Sequence, residues 1–125
     1  MSNYLENALI NATLRNVTYT SPATVYVGLF TSDPTDAGTG TEVAGNAYAR
    51  QAAVFAAPSN GASSISTAIE FPQATGTWGT VTHIGIYDTS SAGNLLYHNS
   101  LTTSKTIEIG DVFSMAISNL TVTLA

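Results

Sequence analysis

The chain has 125 residues, with 3 Lys+Arg against 8 Asp+Glu and a formal net charge of -5, and 9% of its positions are charged where an ordinary soluble domain has about 25%. Hydrophobic residues make up 44%, the reverse of the disorder signature, and a chain of this length buries enough surface for one core and too little for two. The cations Arg15, Arg50 and Lys105 are scattered, so no basic stripe exists for nucleic acid, and the lack of Cys removes disulfides, thiolate zinc sites and Cys nucleophiles.

Residues 1–15 show neither a basic n-region nor the apolar run of a signal peptide, and no later stretch nears the ~18 apolar residues of a membrane span. The expectation is a chain made and folded in the cytosol, without membrane contact. Leu5, Ala8, Leu9 and Ala12 recur at helical spacing, Asn3 with Glu6 forms an N-cap pair, and Arg15 sits near the negative end, which predicts a helix over 3–16. Residues 1–20 thus read as a helix and lead-in. Its apolar stripe is expected to pack on the chain's own domain, the alternative being a second subunit.

From Ser21-Pro22 the period changes to two, and residues 21–125 read as a single β domain. Val25, Val27 and Leu29 alternate with Tyr26, Gly28 and Phe30, a strand apolar on both faces and therefore central in its sheet. Residues 31–47 follow as a long loop with Asp33-Pro34, Asp36 and three glycines and almost nothing apolar to anchor it. Loops longer than about 12 to 15 residues are uncommon and often serve as binding arms. Further strands are expected at 48–56, 64–71, 80–87, 95–101, 106–109, 112–117 and 120–124, separated by turn signals such as Pro58-Ser-Asn-Gly61 and Ser90-Ser-Ala-Gly-Asn94. With no crossover helices between them, seven or eight strands imply an antiparallel β-sandwich, jelly-roll or Ig-like, or else a small barrel, carrying one N-terminal α-helix. In the hairpin of 80–87 and 95–101, pairing Ile86 with Leu95 and Ile84 with Tyr97 gathers four apolar residues on one face. That register sets His83 opposite His98.

Hydroxyls replace charge: 19 Thr and 13 Ser stand beside 17 Ala. Thr favours pleated surfaces, and a surface rich in Thr and Ser and poor in Lys loses little side-chain entropy when a neighbour covers it. Candidate chemistry is sparse. A stable zinc site needs three or four ligands and the His83–His98 pair supplies two. Asp33, Asp36 and Glu42 offer oxygens to calcium, although the spacing fits no EF-hand and Asp33-Pro34 reads more simply as a turn. There is no Gly-x-Ser-x-Gly elbow, no facing carboxylate pair and no Gly-rich phosphate loop. The sequence predicts neither an enzyme nor a bound cofactor or metal. Trp78, Tyr48, Tyr87 and Tyr97 offer rings to a sugar, but in a chain 9% aromatic they read as core or interface. Three Asn-x-Thr matches have no secretory context and are set aside.

Several stretches together carry a resemblance: Ser2-Asn-Tyr-Leu-Glu-Asn-Ala-Leu, Val25-Tyr-Val-Gly-Leu-Phe-Thr-Ser-Asp-Pro34, Glu42-Val-Ala-Gly with Tyr48-Ala-Arg50, Trp78-Gly-Thr-Val-Thr-His-Ile-Gly-Ile-Tyr-Asp88, Gly93-Asn-Leu-Leu-Tyr97 and Gly110-Asp-Val-Phe113. Over nearly its whole length the chain resembles small virion proteins of tailed bacteriophages, cyanophages among them, often labelled tail fibre protein and in some virions found as capsid cement or decoration. The resemblance implies a structural virion protein that binds the major capsid protein as cement, as a trimer, with a tail-fibre or knob module touching a host glycan or protein as the alternative. The expected interface contacts are Phe30, Asp33, Pro34, Tyr48, Arg50 and Trp78. Arg50, one of three cations, is expected to pair with an acid inside the fold, or else across a subunit boundary.

Overall fold

The computed structural model describes residues 1–124; the last residue of the expected domain, Ala125, lies outside them. One helix, α1 (Asn3–Leu14), precedes eight strands: β1 (Val25–Phe30), β2 (Gln51–Ala53), β3 (Ala62–Ser64), β4 (Ile69–Glu70), β5 (Gly79–Tyr87), β6 (Leu95–Ile107), β7 (Ser114–Met115) and β8 (Thr121–Thr123). All pairings are antiparallel. A four-stranded sheet in the order β2-β1-β5-β6 is joined by two ribbons, β3-β8 and β4-β7, giving the small all-β, sandwich-like fold with one N-terminal helix that the strand spacing predicts.

The main core lies between these layers. Val27, Leu29, Val81, Ile84 and Ile86 come from the large sheet, and Ile65, Ile69, Phe71, Phe113, Met115 and Leu120 from the ribbons and their flanks. β1 is an inner strand with Val27, Leu29 and Phe30 all at 1% exposure or less, as its two apolar faces require. A smaller cluster of Phe30, Tyr87 and Leu95 lies apart from it, the Phe30 and Tyr87 rings stacked 6.2 Å apart.

Several boundaries differ from expectation, each for a local reason. The N-cap is Ser2, in extended conformation, whose Oγ accepts from the Leu5 N–H; Asn3 is already helical. The helix ends at Leu14 because Asn16 takes a left-handed φ of 55°. The strand expected at 48–56 pairs with β1 over Gln51–Ala53 and then turns to a single bridge between Phe55 and Ile65, and 64–71 divides between two different ribbons, as β3 and β4. The strands expected at 95–101 and 106–109 are one continuous β6.

The β5–β6 register also departs from the expected one. Ile86 faces Tyr97, Ile84 faces Asn99, Gly85 faces His98 and His83 faces Ser100, with irregularities between Val81 and His83 and between Ile86 and Tyr87. The two histidines are therefore not opposite one another. A slip of two residues keeps every side chain on its face, so the alternation of apolar residues does not select the register. The 88–94 turn does: Asp88 accepts from the Asn94 backbone and side-chain N–H groups at 2.8 and 3.0 Å.

The loop 31–47 is better anchored than its composition suggests. The N–H of Thr31 donates to the Thr41 carbonyl and that of Val43 to the Leu29 carbonyl, while Val43 and Pro34 are buried.

Candidate functional site

Gly28 of β1 and Gly85 of β5 face each other, and the missing side chains leave a shallow floor. A Cβ on Gly28 would lie 2.8 Å from Glu42 Oε2, and one on Gly85 would lie 2.8 Å from Leu95 Cδ1 and 2.9 Å from Phe30 Cε1. The 31–47 loop uses this space to bring Glu42 down onto the sheet.

Glu42 there meets Arg50. Nε and Nη2 of Arg50 donate to Oε2 and Oε1 of Glu42 at 2.9 and 2.8 Å, a two-pronged pairing suited to guanidinium and carboxylate. Nη1 donates to the carbonyl oxygens of Thr89 and Ala92 at 3.1 and 2.8 Å, and the guanidinium carbon sits 3.5 Å from the Tyr87 ring centroid. The Arg50 side chain is 7% exposed. Burial, the largest single influence, acts to lower its pKa, but the hydrogen bonds to Glu42 together with the charges of Glu42, Tyr87 and Tyr48 hold the guanidinium above its ordinary value. Tyr48 OH donates to Glu42 Oε2 at 2.6 Å and accepts from the Leu29 N–H at 2.9 Å. Burial pushes the Tyr48 phenol far up, and the hydrogen bond to the Glu42 carboxylate adds to the rise; Tyr87 is raised by burial and then by the Glu42 charge.

A second cluster pins the loop tip. His98 Nε2 lies 2.8 Å from Asp36 Oδ1 and its Nδ1 3.8 Å from Asp33 Oδ1, with the imidazole 15% exposed. Asp33 Oδ1 also accepts from the Thr35 N–H, which helps hold Thr35 at a φ of 57°. The Asp36 carbonyl accepts from the Asn3 N–H, so loop, β6 and α1 meet at one point. Ser2 completes the attachment: its N–H donates to the Leu96 carbonyl and its Oγ to the Leu95 carbonyl at 2.5 Å. Beyond this first turn α1 is thinly covered. Leu5 is its single buried residue, while Tyr4, Ile10, Leu14 and the following Val17 are 42%, 53%, 79% and 46% exposed.

Of the six residues expected at an interface, Phe30, Pro34 and Trp78 are interior. Trp78 Nε1 donates to the Asn46 carbonyl at 2.9 Å. Tyr48 is half-buried, stacked on Phe71 and edge-on to Trp78, and Arg50 lies inside the pairing above. Asp33 alone among the six is exposed. These side chains shape and hold the loop. The pairing of Arg50 is internal, as expected. Both Glu42 oxygens are engaged by it, and among the described residues no group of three or more His, Asp or Glu converges on a metal position. His83 bonds its neighbour Thr82 at 2.8 Å. Sequence reasoning missed the structural parts of Ser2 and Tyr87 and the His98–Asp36 contact; the signal for the last, a lone His within reach of an acidic loop, depended on the β5–β6 register.

No helix among the described residues is long and apolar enough to cross a membrane. No curated protein matches the chain. The family model described as podophage GP4 fiber I protein gp80 matches residues 1–123, nearly the whole length. The chain therefore belongs to this family of phage fiber proteins, as a structural protein of the virion.

Proposed function

We propose that the protein is a non-catalytic fibre subunit of the phage virion, a trimer whose copies meet through the outer face of α1. The observation that carries this reading is the state of α1. A helix of 12 residues is marginal in water, and in this one Leu5 is the single buried residue, with Ala8, Leu9 and Ala12 half-buried. Ile10 and Leu14, a turn apart, stay exposed. A neighbouring copy covering them supplies the missing burial, and the fiber description of the family points the same way. No reaction, cofactor, nucleic acid or membrane enters this role. Native mass spectrometry tests it: the protein is expected as a trimer, and Ile10→Asp with Leu14→Asp as a monomer retaining its β circular dichroism. A wild-type chain that stays monomeric at all concentrations overturns the reading.

A second reading is capsid cement bound to the major capsid protein. Its support is the outer half of β6, where residues 102–106 are all exposed and four of the five are Thr or Ser, a surface cheap in entropy to cover. Copy number per purified virion, measured against the major capsid protein, separates the two: a few to a few tens for a fibre, hundreds for cement.

A further inference from the structure

We infer that the crevice where the 36–38 loop tip, the start of α1 and the 92–94 turn meet is a binding site for a neutral, hydroxyl-rich ligand of sugar size. The crevice measures about 520 Å³ and is lined by Asn3, Tyr4, Asp36, Arg50 and Asn94 among others. That volume lies within the ~300–1,000 Å³ usual for small-molecule sites.

Its polar groups are not used up by the fold. Among the described residues, Asp36 binds His98 through Oδ1 and its Oδ2 has no donor. Asn94 gives its Nδ2 to Asp88 and its Oδ1 receives nothing. The side chains of Asn3 and Tyr4 form no hydrogen bond, and four of the five N–H groups of Arg50 are engaged, leaving one on Nη2. Acceptors and donors thus alternate around one hollow, beside a Tyr4 ring that is 42% exposed and offers an apolar face. Vicinal hydroxyls, each both donor and acceptor, match such a lining.

Charge selects the ligand class. Arg50 is neutralised by Glu42, and Asp36 remains on the rim with Asp88 just behind Asn94. An anion meets these carboxylates. A neutral ligand avoids that penalty. The walls are also fixed before any ligand arrives: Arg50 clamps the 88–94 turn through the Thr89 and Ala92 carbonyls, and Asp36 is held by both His98 and the Asn3 N–H. Preorganisation of this kind lowers the cost of binding.

Amide chemical shifts of the full chain, followed while glucose, galactose, mannose, N-acetylglucosamine and maltose are titrated in turn, test the inference. At least one is expected to move the amides of residues 36–38 and 92–94 with millimolar affinity, and Tyr4→Ala and Asn3→Ala, both at exposed positions, to weaken it about tenfold each while the rest of the spectrum is unchanged. N-acetylneuraminic acid, carrying a negative charge, is expected to bind more weakly. No response to any neutral sugar, a response centred elsewhere, or equal binding by both variants overturns the site; tighter binding of the anionic sugar overturns the ligand class. The readout is independent of oligomeric state and copy number, so its failure leaves the fibre reading intact, and the converse also holds.

Discussion

At the scale of single residues, Arg50 and Glu42 matter most to the loop-bearing face. Removing one member of this partly buried, hydrogen-bonded pair leaves the other charged and unmatched, and with Glu42 23% exposed Arg50→Met should cost about 1–3 kcal/mol in urea denaturation. Glu42→Gln with Arg50→Met should cost less than the two single changes summed, because the double variant leaves no orphaned charge. Additive costs would mean that the two side chains act separately. Gly28→Ala places a methyl 2.8 Å from Glu42 Oε2 and 3.2 Å from the Tyr48 hydroxyl. Both are held by other bonds, so overpacking of about 1–3 kcal/mol is expected, read as a lower denaturation midpoint. The sequence made part of this legible. One cation among so few, set in an expected strand, has an acid to find, and it does. Which acid was not legible, since Glu42 reaches Arg50 only through a loop whose path depends on a pair of facing glycines on separate strands.

The elements show the same division more sharply. Amphipathic spacing located α1, and double-faced apolarity located β1, because both signals are local. Strand extent along the rest of the chain was less legible: Ser64 and Glu70 look like one run and belong to different ribbons, and pairing partners are set by tertiary packing. The register of β5 against β6 was chosen by Asp88 capping Asn94, a turn contact invisible to periodicity. Asp88→Ala should therefore loosen that register, seen as faster amide exchange across residues 95–99 with β1 unchanged. Ser2→Ala removes both the cap and the link to Leu95; about 1–2 kcal/mol should be lost from the docking of α1, read by exchange at Leu5 and Glu6.

For the molecule as a whole, the absence of dense charge moves pH sensitivity to the phenols. Tyr19, Tyr48, Tyr87 and Tyr97 are all raised above the ordinary tyrosine value, burial being the first cause in each. The folded chain therefore holds phenolic protons that the unfolded chain releases. Their contribution is complete below the unfolded value of about 10 and is lost as pH rises above it. The urea midpoint should stay level on this account from about pH 8 to about pH 9.5 and fall above about pH 10, with tyrosinate absorbance lagging behind that of free tyrosine until the chain unfolds. A midpoint flat through about pH 11 would remove the phenols from the account.

The single-ended attachment of α1 also bears on geometry. Fixed by hydrogen bonds at Ser2 and Asn3 and with Leu5 as its single buried residue, the helix has its firm anchor at one end. If copies assemble through α1 as proposed, a one-ended anchor would let them lean at different angles toward their neighbours without disturbing the β layers. Rigid shape with adjustable posture is what a repeated part requires wherever the symmetry of an appendage and that of the body carrying it do not match.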